Sequence, residues 1–513
     1  MIHQINRLLN FALNRGLIAQ CDLYYAANRL VALLGEPGFT FEQLNESLVS
    51  PAPILAEILQ LAVERNLVED TSVRQDLFDT LLMDCLIPRP NEVQKRFAEL
   101  YLEAPSKATD YFYDLSIAAN YIRKTRTDAN IIWPFATAFG KLEITINLSK
   151  PEKDPRDIAA ARQAPASSYP ACLLCRENEG FAGNLHHPAR QNLRLVQMPE
   201  AVAKGGAGGL EADLDEQWFM QYSPYIYYNE HSIFLNSRHI PMKIDRVTFG
   251  RLLAILDFLP HYFVGSNADL PIVGGSILSH DHYQGGRHPM PVEGAEVEKS
   301  YEFSQFPAIS VGRVKWPLST VRLSGPDQGD LVELADFILG AWRIYSDPSL
   351  GIVACSGGEA HNTVTPVARM RAGKYEIDLV LRNNRTSAEY PMGIFHPHED
   401  VHHIKKENIG LIEAMGLAIL PGRLMEELAA IEEALGSGRE DLGNSEELQK
   451  HRDWYAELRR KALASPAIEH HQLVRDEVGD KFLRCLLDAG VFKRDDEGLA
   501  GFDRFVSEIS GPR

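Results

Sequence analysis

Two stretches hold the residues whose types and spacing suit chemistry. Residues 172–175 read CLLC, and residues 279–286 read SHDHYQGG. Two thiolates three positions apart, Cys172 and Cys175, can close on one metal ion, and zinc completes a tetrahedron from sulfur and nitrogen donors. A lone CxxC also has a redox reading and a plain one, two small buried residues in a turn. No βαβ pattern surrounds this pair, which weakens the redox option. Candidate nitrogen ligands stand elsewhere, at His239 in NSRHIP and His280 in SHDH, with His186-His187 in NLHHPAR as a rival source.

In the second stretch, residues two apart share a face of extended backbone, about 7 Å from one another. His280 and His282 can therefore point the same way and do different work, one at a metal and the other free. Neutral imidazole is abundant at pH 7 and attacks phosphorus without a base to remove a proton. Its second ring nitrogen must keep its hydrogen, and a neighbouring carbonyl would fix that tautomer. Gln284 can donate its amide to a non-bridging phosphate oxygen, where charge builds in the transition state. Gly285 and Gly286, with Gly274 and Gly275 upstream, permit close backbone approach to a ligand. A polar turn is the competing reading, and four functional residue types within five positions make it the weaker one. Asp281 puts a carboxylate beside the candidate nucleophile, with no role assigned by spacing.

A third group lies downstream, in EAHNTVTPVAR (359–369), LVLRNNRTS (379–387), FHPHEDVHHIKKENIG (395–410) and PGR (421–423). Five of the 17 histidines fall between 361 and 403, accompanied by Arg382, Arg385, Lys405 and Lys406. In an acidic chain such a local basic cluster suggests an anionic ligand. A solvated charged face is the alternative for Lys405 and Lys406, and a second metal is conceivable at FHPHEDVHH.

These residues need a scaffold, and 513 residues suffice for two to four domains or one large catalytic body with additions. The net charge of −18 and pI near 5.4 supply no broad cationic surface, which argues against nucleic acid but not against a small phosphorylated substrate. No apolar run is long enough to predict a membrane span. The N-terminal stretch reads as an amphipathic helix and not as a signal peptide. Six cysteines, four of them scattered, fit a reducing cytoplasm better than a disulfide framework.

Residues 1–125 carry apolar residues at helical spacing. LEITINLS (142–149) alternates as a strand, and a polar, proline-rich connection follows it. A glycine-rich loop spans 201–216. YIYYNEHSIFLN (225–236) reads as a strand, and Asp245 as the cap of a helix. PIVGGSILS (271–279) reads as a strand ending at SHDH, with further strands at 352–357 and in KYEIDLVLR. IGLIEAMGLAIL (409–420) reads as a buried helix halted by Pro421-Gly422, and charged amphipathic helices close the chain. Helices thus bracket a β-rich centre. Antiparallel α+β is favoured over a doubly wound parallel sheet, because regular helices do not separate the strands and no GxGxxG or GxxxxGK[ST] loop occurs.

YPACLLCRENEGFAG, QYSPYIYYNEHSIFLNSRHIPM, PIVGGSILSHDHYQGG, HNTVTPVAR, LVLRNNRT and GIFHPHEDVHHIKKENIGLIEAMGLAILPGR together resemble the second class of galactose-1-phosphate uridylyltransferases. The likeness runs from LFDTLLMDCLIPRPNEV (77–93) to about residue 425, and HDHYQGG with KKENIG is its most specific part. The resemblance implies duplicated histidine-triad-like α+β units with antiparallel sheets, flanked by helical regions. Its expected divisions are a helical region 1–135, an N-terminal half 136–245, a C-terminal half 246–425 and a helical extension 426–513. It implies uridylyl transfer from UDP-glucose to galactose 1-phosphate through a uridylyl-histidine on His282, steadied by Gln284. It also implies structural zinc on Cys172, Cys175, His239 and His280, nucleotide contact at Asn229, and hexose-phosphate binding near Lys406. A cytoplasmic homodimer is expected, without nucleic acid or membrane as partner. The candidate substrate-binding set is Asn229, Gly285, Gly286, Arg382 and Lys406. This chain has His-Asp-His-Tyr-Gln where the better-known class has His-Pro-His-Gly-Gln. It also lacks histidines on KYEIDLVLR, where that class places a second metal. The rival readings are a nucleotidyl phosphorylase or hydrolase of the same fold, and a zinc-stabilised binding module without catalysis.

Overall fold

The computed structural model describes residues 1–149, 156, 168–209, 216–275, 277–443 and 445–511. Helices form first, over Ile2–Asn14, Leu23–Leu33, Ala52–Glu64, Ser72–Asp84, Pro90–Glu103 and Pro105–Ala118. Their apolar residues fall on one face, as with Ile5, Leu8, Leu9 and Ala12 of the first, all fully buried. Pro90 and Pro105 open their helices at the position where a missing N–H costs nothing.

The centre is a ten-stranded sheet. Its strands are β1 (Val196–Gln197), β2 (Trp218–Tyr222), β3 (Ser232–Asn236), β4 (Phe263–Gly265), β5 (His282–Gly286), β6 (Val297–Tyr301), β7 (Ser310–Val314), β8 (Thr320–Gly325), β9 (Asn362–Arg371) and β10 (Lys374–Asn383). Their spatial order is β1-β2-β3-β5-β4-β9-β10-β8-β7-β6, and every pairing is antiparallel. Read inward from its two edges, the sheet repeats one plan. Three strands in sequence are followed by a helix, then by two strands whose order is exchanged. The helices are Arg246–Phe258 in the first half and Gln328–Ile344 in the second. The halves meet where Phe263, Val264 and Gly265 of β4 pair with Arg369, Ala368 and Val367 of β9. This is the duplicated antiparallel α+β unit that the sequence led us to expect.

The two crossover helices pack against each other and cover one face of the sheet, in a core shared with the N-terminal helices. The other face packs under a second core. That core is built by a three-stranded sheet (Ile131–Thr137, Gly140–Asn147, Leu417–Pro421) and by the helices Leu424–Gly436, Arg452–Ala464 and His470–Ala489. Asp245 caps its helix as expected, its Oδ1 accepting from Val247 N at 3.0 Å and Thr248 N at 3.2 Å. No described helix is long and apolar enough to cross a membrane.

The expected strand at 352–357 is reduced to Cys355–Ser356, the expected loop at 201–216 opens on a helical turn, Glu200–Ala203, and three further elements differ more. Only Ser232–Asn236 of the 225–236 stretch is strand. Before it Glu230 takes a left-handed φ of 55°, and the amides of Ser223 and His231 bond the carbonyls of His231 and Tyr228, folding 223–231 into a loop. The described residues of 271–279 likewise form no strand: Ile272 has φ 72° within a turn, and the strand begins at His282. SHDH therefore enters a strand and does not leave one. Residues 409–420 form one helical turn, Leu411–Ala414, and then a strand paired in parallel with Gly140–Asn147. Gly416, at φ 99°, makes the bend between them. A short apolar run has the same periodicity in either state, so an open sheet edge decided this one. Lys405 also departs from the solvated reading. It is 4% exposed and donates to Glu413 Oε1 at 2.9 Å.

Candidate active site

Cys172, Cys175, His239 and His280 converge from three loops, their ligand atoms all within 4.8 Å of one another. Tetrahedral zinc at ordinary bond lengths separates two sulfurs by about 3.7 Å and a sulfur from a nitrogen by about 3.5 Å. Here the sulfurs are 3.6 Å apart. Cys172 Sγ lies 3.2 Å from His280 Nδ1, and Cys175 Sγ lies 3.3 Å from His239 Nδ1. Burial and the adjacent thiol push Cys175 up to about 11, so this thiol ionises only against a cation. His280 donates its other nitrogen to the Asn236 carbonyl at 2.9 Å, which turns Nδ1 toward the sulfurs. The donor set, spacing and outer partner fit a structural zinc, which supplies a cross-link between these loops. His187 is not among the ligands. Its Nε2 bonds Asn178 Oδ1 at 2.6 Å, and Asn178 in turn donates to the carbonyls of Cys172 and Cys175.

His282 follows at the first position of β5. It is 5% exposed, and burial holds its pKa down to about 4, so the ring is neutral at pH 7. Its Nδ1 donates to the His280 carbonyl at 2.8 Å. That bond fixes the tautomer and leaves the Nε2 lone pair available, with no bond from a described residue. The arrangement can act as a nitrogen nucleophile without a base. Gln284 lies on the same face two positions on, and β3 places Leu235 opposite His282 and Ile233 opposite Gln284.

Asp281 and Tyr283 face the other side. Tyr283 stacks on Trp218 at 4.8 Å, with Arg251 4.9 Å from the Trp218 ring. Asp281 Oδ2 is 3.7 Å from Arg251, whose other nitrogen bonds Glu216 at 2.7 Å. Burial pushes the Asp281 carboxyl up to about 7, against the pull of Arg251. The carboxylate next to the candidate nucleophile thus belongs to a polar cluster beneath the strand.

The remaining expected site residues are distributed as follows. A side chain on Gly285 would meet the Phe263 carbonyl at 2.4 Å, and one on Gly286 the Glu230 carbonyl at 2.7 Å. The close approach these glycines permit is that of the protein's own backbone. Asn229 is exposed beside Gly286, donates to the Arg287 carbonyl at 3.0 Å and lines a pocket of about 190 Å³ with Tyr113, Tyr227 and Tyr228. Arg382 sits on β10, three strands from β5 and so about 14 Å away. It is 1% exposed, donates to the Ile409 carbonyl at 2.7 Å, and burial lowers it to about 10 despite Glu413. Lys406 is exposed. His396 and His398 contact the carbonyls of Pro397 and Ile394. A cavity of about 660 Å³ lies apart from all of these, among the N-terminal helices, with Arg123–Asp79 and Arg126–Asp76 ion pairs in its walls.

In the second half, the register row of Gln284 runs through Gly265 and Val367 to Asp378. There Asp378 accepts from Arg322 at 2.7 and 2.9 Å and from Arg369 at 2.8 Å, and Arg369 also pairs with Glu376. Burial opposes the charge, but the two arginines outweigh it and hold Asp378 below its ordinary range. The duplicate of the histidine strand thus carries buried ion pairs and no nucleophile.

Two family models match the chain, the galactose-1-phosphate uridyl transferase N-terminal domain over residues 17–241 and its C-terminal domain over residues 256–455. A galactose-1-phosphate uridylyltransferase of Clostridium acetobutylicum is 53% identical over 98% of this chain and 99% of its own length. The chain belongs to the galactose-1-phosphate uridylyltransferase family. Members from Caldanaerobacter subterraneus and Bacillus subtilis, of the same name, are 50% and 47% identical, over 98% and 99% of this chain and 96% and 98% of theirs. Among solved structures, yeast Ap4A phosphorylase Apa2 shares 12% identity over 70% of this chain and 98% of its own, with a TM-score of 0.33, too distant to add to the family assignment.

One group was missed at the level of sequence. His231 is 3% exposed, with Nε2 3.2 Å from Gln284 Oε1 and Nδ1 3.1 Å from the Tyr225 carbonyl. Its only signal was a place two positions before Ile233, on the face that Gln284 shares.

Proposed function

We propose that His282 carries the uridylyl group in the reaction of this family. That reaction moves a uridylyl group from UDP-glucose to galactose 1-phosphate, giving UDP-galactose and glucose 1-phosphate. His282 Nε2 attacks the α-phosphorus, the phosphoanhydride bond breaks, and glucose 1-phosphate leaves with the bonding electron pair. A phosphate oxygen of galactose 1-phosphate then displaces the histidine, and the free imidazole is restored. One covalent relay serves two similar sugar phosphates in turn, with ping-pong kinetics. The observation that supports His282 is its buried neutral ring, with Nδ1–H bound to a backbone carbonyl and Nε2 open.

Gln284 donates to the phosphoryl oxygens, where charge grows in the transition state. Asn229 and Lys406 serve the nucleotide and the hexose phosphate in the same reading, and Arg382 anchors the segment after Lys406 through the Ile409 carbonyl. A cytoplasmic homodimer belongs to this reading too, and light scattering measures the mass. Incubation with UDP-glucose alone tests the central claim. Intact mass should rise by one uridylyl group per chain, and His282→Gly should abolish the rise. Labelling of another residue, or nucleotide cleavage by water or phosphate without a labelled chain, would refute it.

A further inference from the structure

The loop 223–231 lies over the C-terminal end of β5. Tyr228 OH donates to the Gly285 carbonyl at 3.2 Å, and the His231 ring sits between Tyr227 and Tyr228, at 5.2 and 4.6 Å. The ring is buried with both nitrogens near oxygen, the Tyr225 carbonyl at 3.1 Å and Gln284 Oε1 at 3.2 Å. Burial lowers it to about 4, so at pH 7 it carries one N–H and can donate once. The Tyr225 carbonyl already receives the Ser223 hydroxyl at 2.8 Å. The Gln284 oxygen receives nothing else among the described residues, and the Gln284 amide nitrogen has no acceptor among them.

We infer that His231 is a positioning residue for the transfer: its Nε2–H holds the carbonyl end of Gln284 and so turns that residue's amide hydrogens toward the phosphoryl group. A side-chain amide is nearly symmetric in shape, and either end fits the same space. Unless one end is held, Gln284 presents an oxygen as readily as a donor, and an oxygen facing a phosphoryl oxygen repels it. His231 never touches substrate and acts through Gln284. This rests on the reading of Gln284 given above.

The test is the single-turnover rate of uridylyl-enzyme formation with UDP-glucose, in Gln284→Ala, His231→Phe, His231→Gln and the double variant His231→Phe/Gln284→Ala. His231→Phe should lower the rate by about 10- to 100-fold with little change in KM. His231→Gln, whose amide can still donate to the Gln284 oxygen, should recover part of the loss. The double variant should be no slower than Gln284→Ala alone, because removal of Gln284 leaves His231 nothing to orient. A His231→Phe enzyme at the wild-type rate overturns the inference. So does one that slows Gln284→Ala by the same factor as it slows the wild type, which marks a merely structural role. A Gln284→Ala enzyme at the wild-type rate removes the reading of Gln284 itself and the inference with it. Melting temperatures verify folding, and if His231→Phe does not fold, His231→Asn takes its place in the same comparison.

Discussion

His282 and Asp281 are adjacent in sequence and opposite in circumstance. Strand alternation sends the histidine to the face it shares with Gln284 and the aspartate to the polar cluster of Arg251, Glu216 and Asn236. Asp281→Asn is therefore expected to keep activity within a few-fold of wild type. His282→Asn, which keeps size and polarity but no nucleophilic nitrogen, is expected to lose at least about a thousandfold. Steady-state turnover of the two variants side by side checks this, and an inactive Asp281→Asn enzyme that remains folded would put Asp281 in the chemistry. The residue types of the site were legible in SHDHYQGG and CLLC. His231 was not, because its role comes from a contact with a residue 53 positions away.

Each strand of the duplicated unit owes its place to backbone fit as much as to side chains. A methyl on Gly285 would stand 2.4 Å from the Phe263 carbonyl and 3.0 Å from the Phe234 ring. Gly285→Ala should cost about 1–3 kcal/mol of stability, through displacement of β4 from β5, and urea unfolding measures it. In the other half, Asp378→Ala would leave Arg322 and Arg369 with Glu376 alone between them. A loss of about 3–5 kcal/mol is expected on removing one partner from such a buried network. The rate of uridylyl-enzyme formation at a temperature where the variant is folded should stay near wild type. A selective loss of rate would instead make the second half a participant. A helix with a capping residue could be read at sequence level, as with Asp245. The loop 223–231, the turn at Ile272 and the strand Leu417–Pro421 could not, because positive-φ residues and a vacant sheet edge overrode local periodicity.

At the scale of the molecule, zinc and buried histidines set how the fold answers its surroundings. The metal site joins the loops at residues 172–175, 239 and 280, and so anchors the entry to β5. One zinc per chain is expected by elemental analysis, and its removal by chelator should lower both the melting temperature and the rate of uridylylation. His231, His261 and His403 are held by burial at about 4, 4 and 3, against 6.5 for an exposed ring. Between those values the unfolded chain binds protons that the folded chain refuses. Stability should therefore fall as pH drops from about 7 through 4 and below. Melting temperatures at pH 8, 6 and 5 check the direction, and His403→Gln should make the fall shallower. The sequence by itself determined the chemistry available, a zinc-binding sulfur pair and an imidazole with an amide two residues on, because residue type and short spacing are local properties. It also determined that helices bracket an antiparallel centre. Only the tertiary structure decided which histidines complete the metal site, which tautomer His282 holds, which way Asp281 faces and that His231 meets Gln284. Those outcomes depend on strand register and on the burial of particular atoms, and both are fixed only when distant segments pack together.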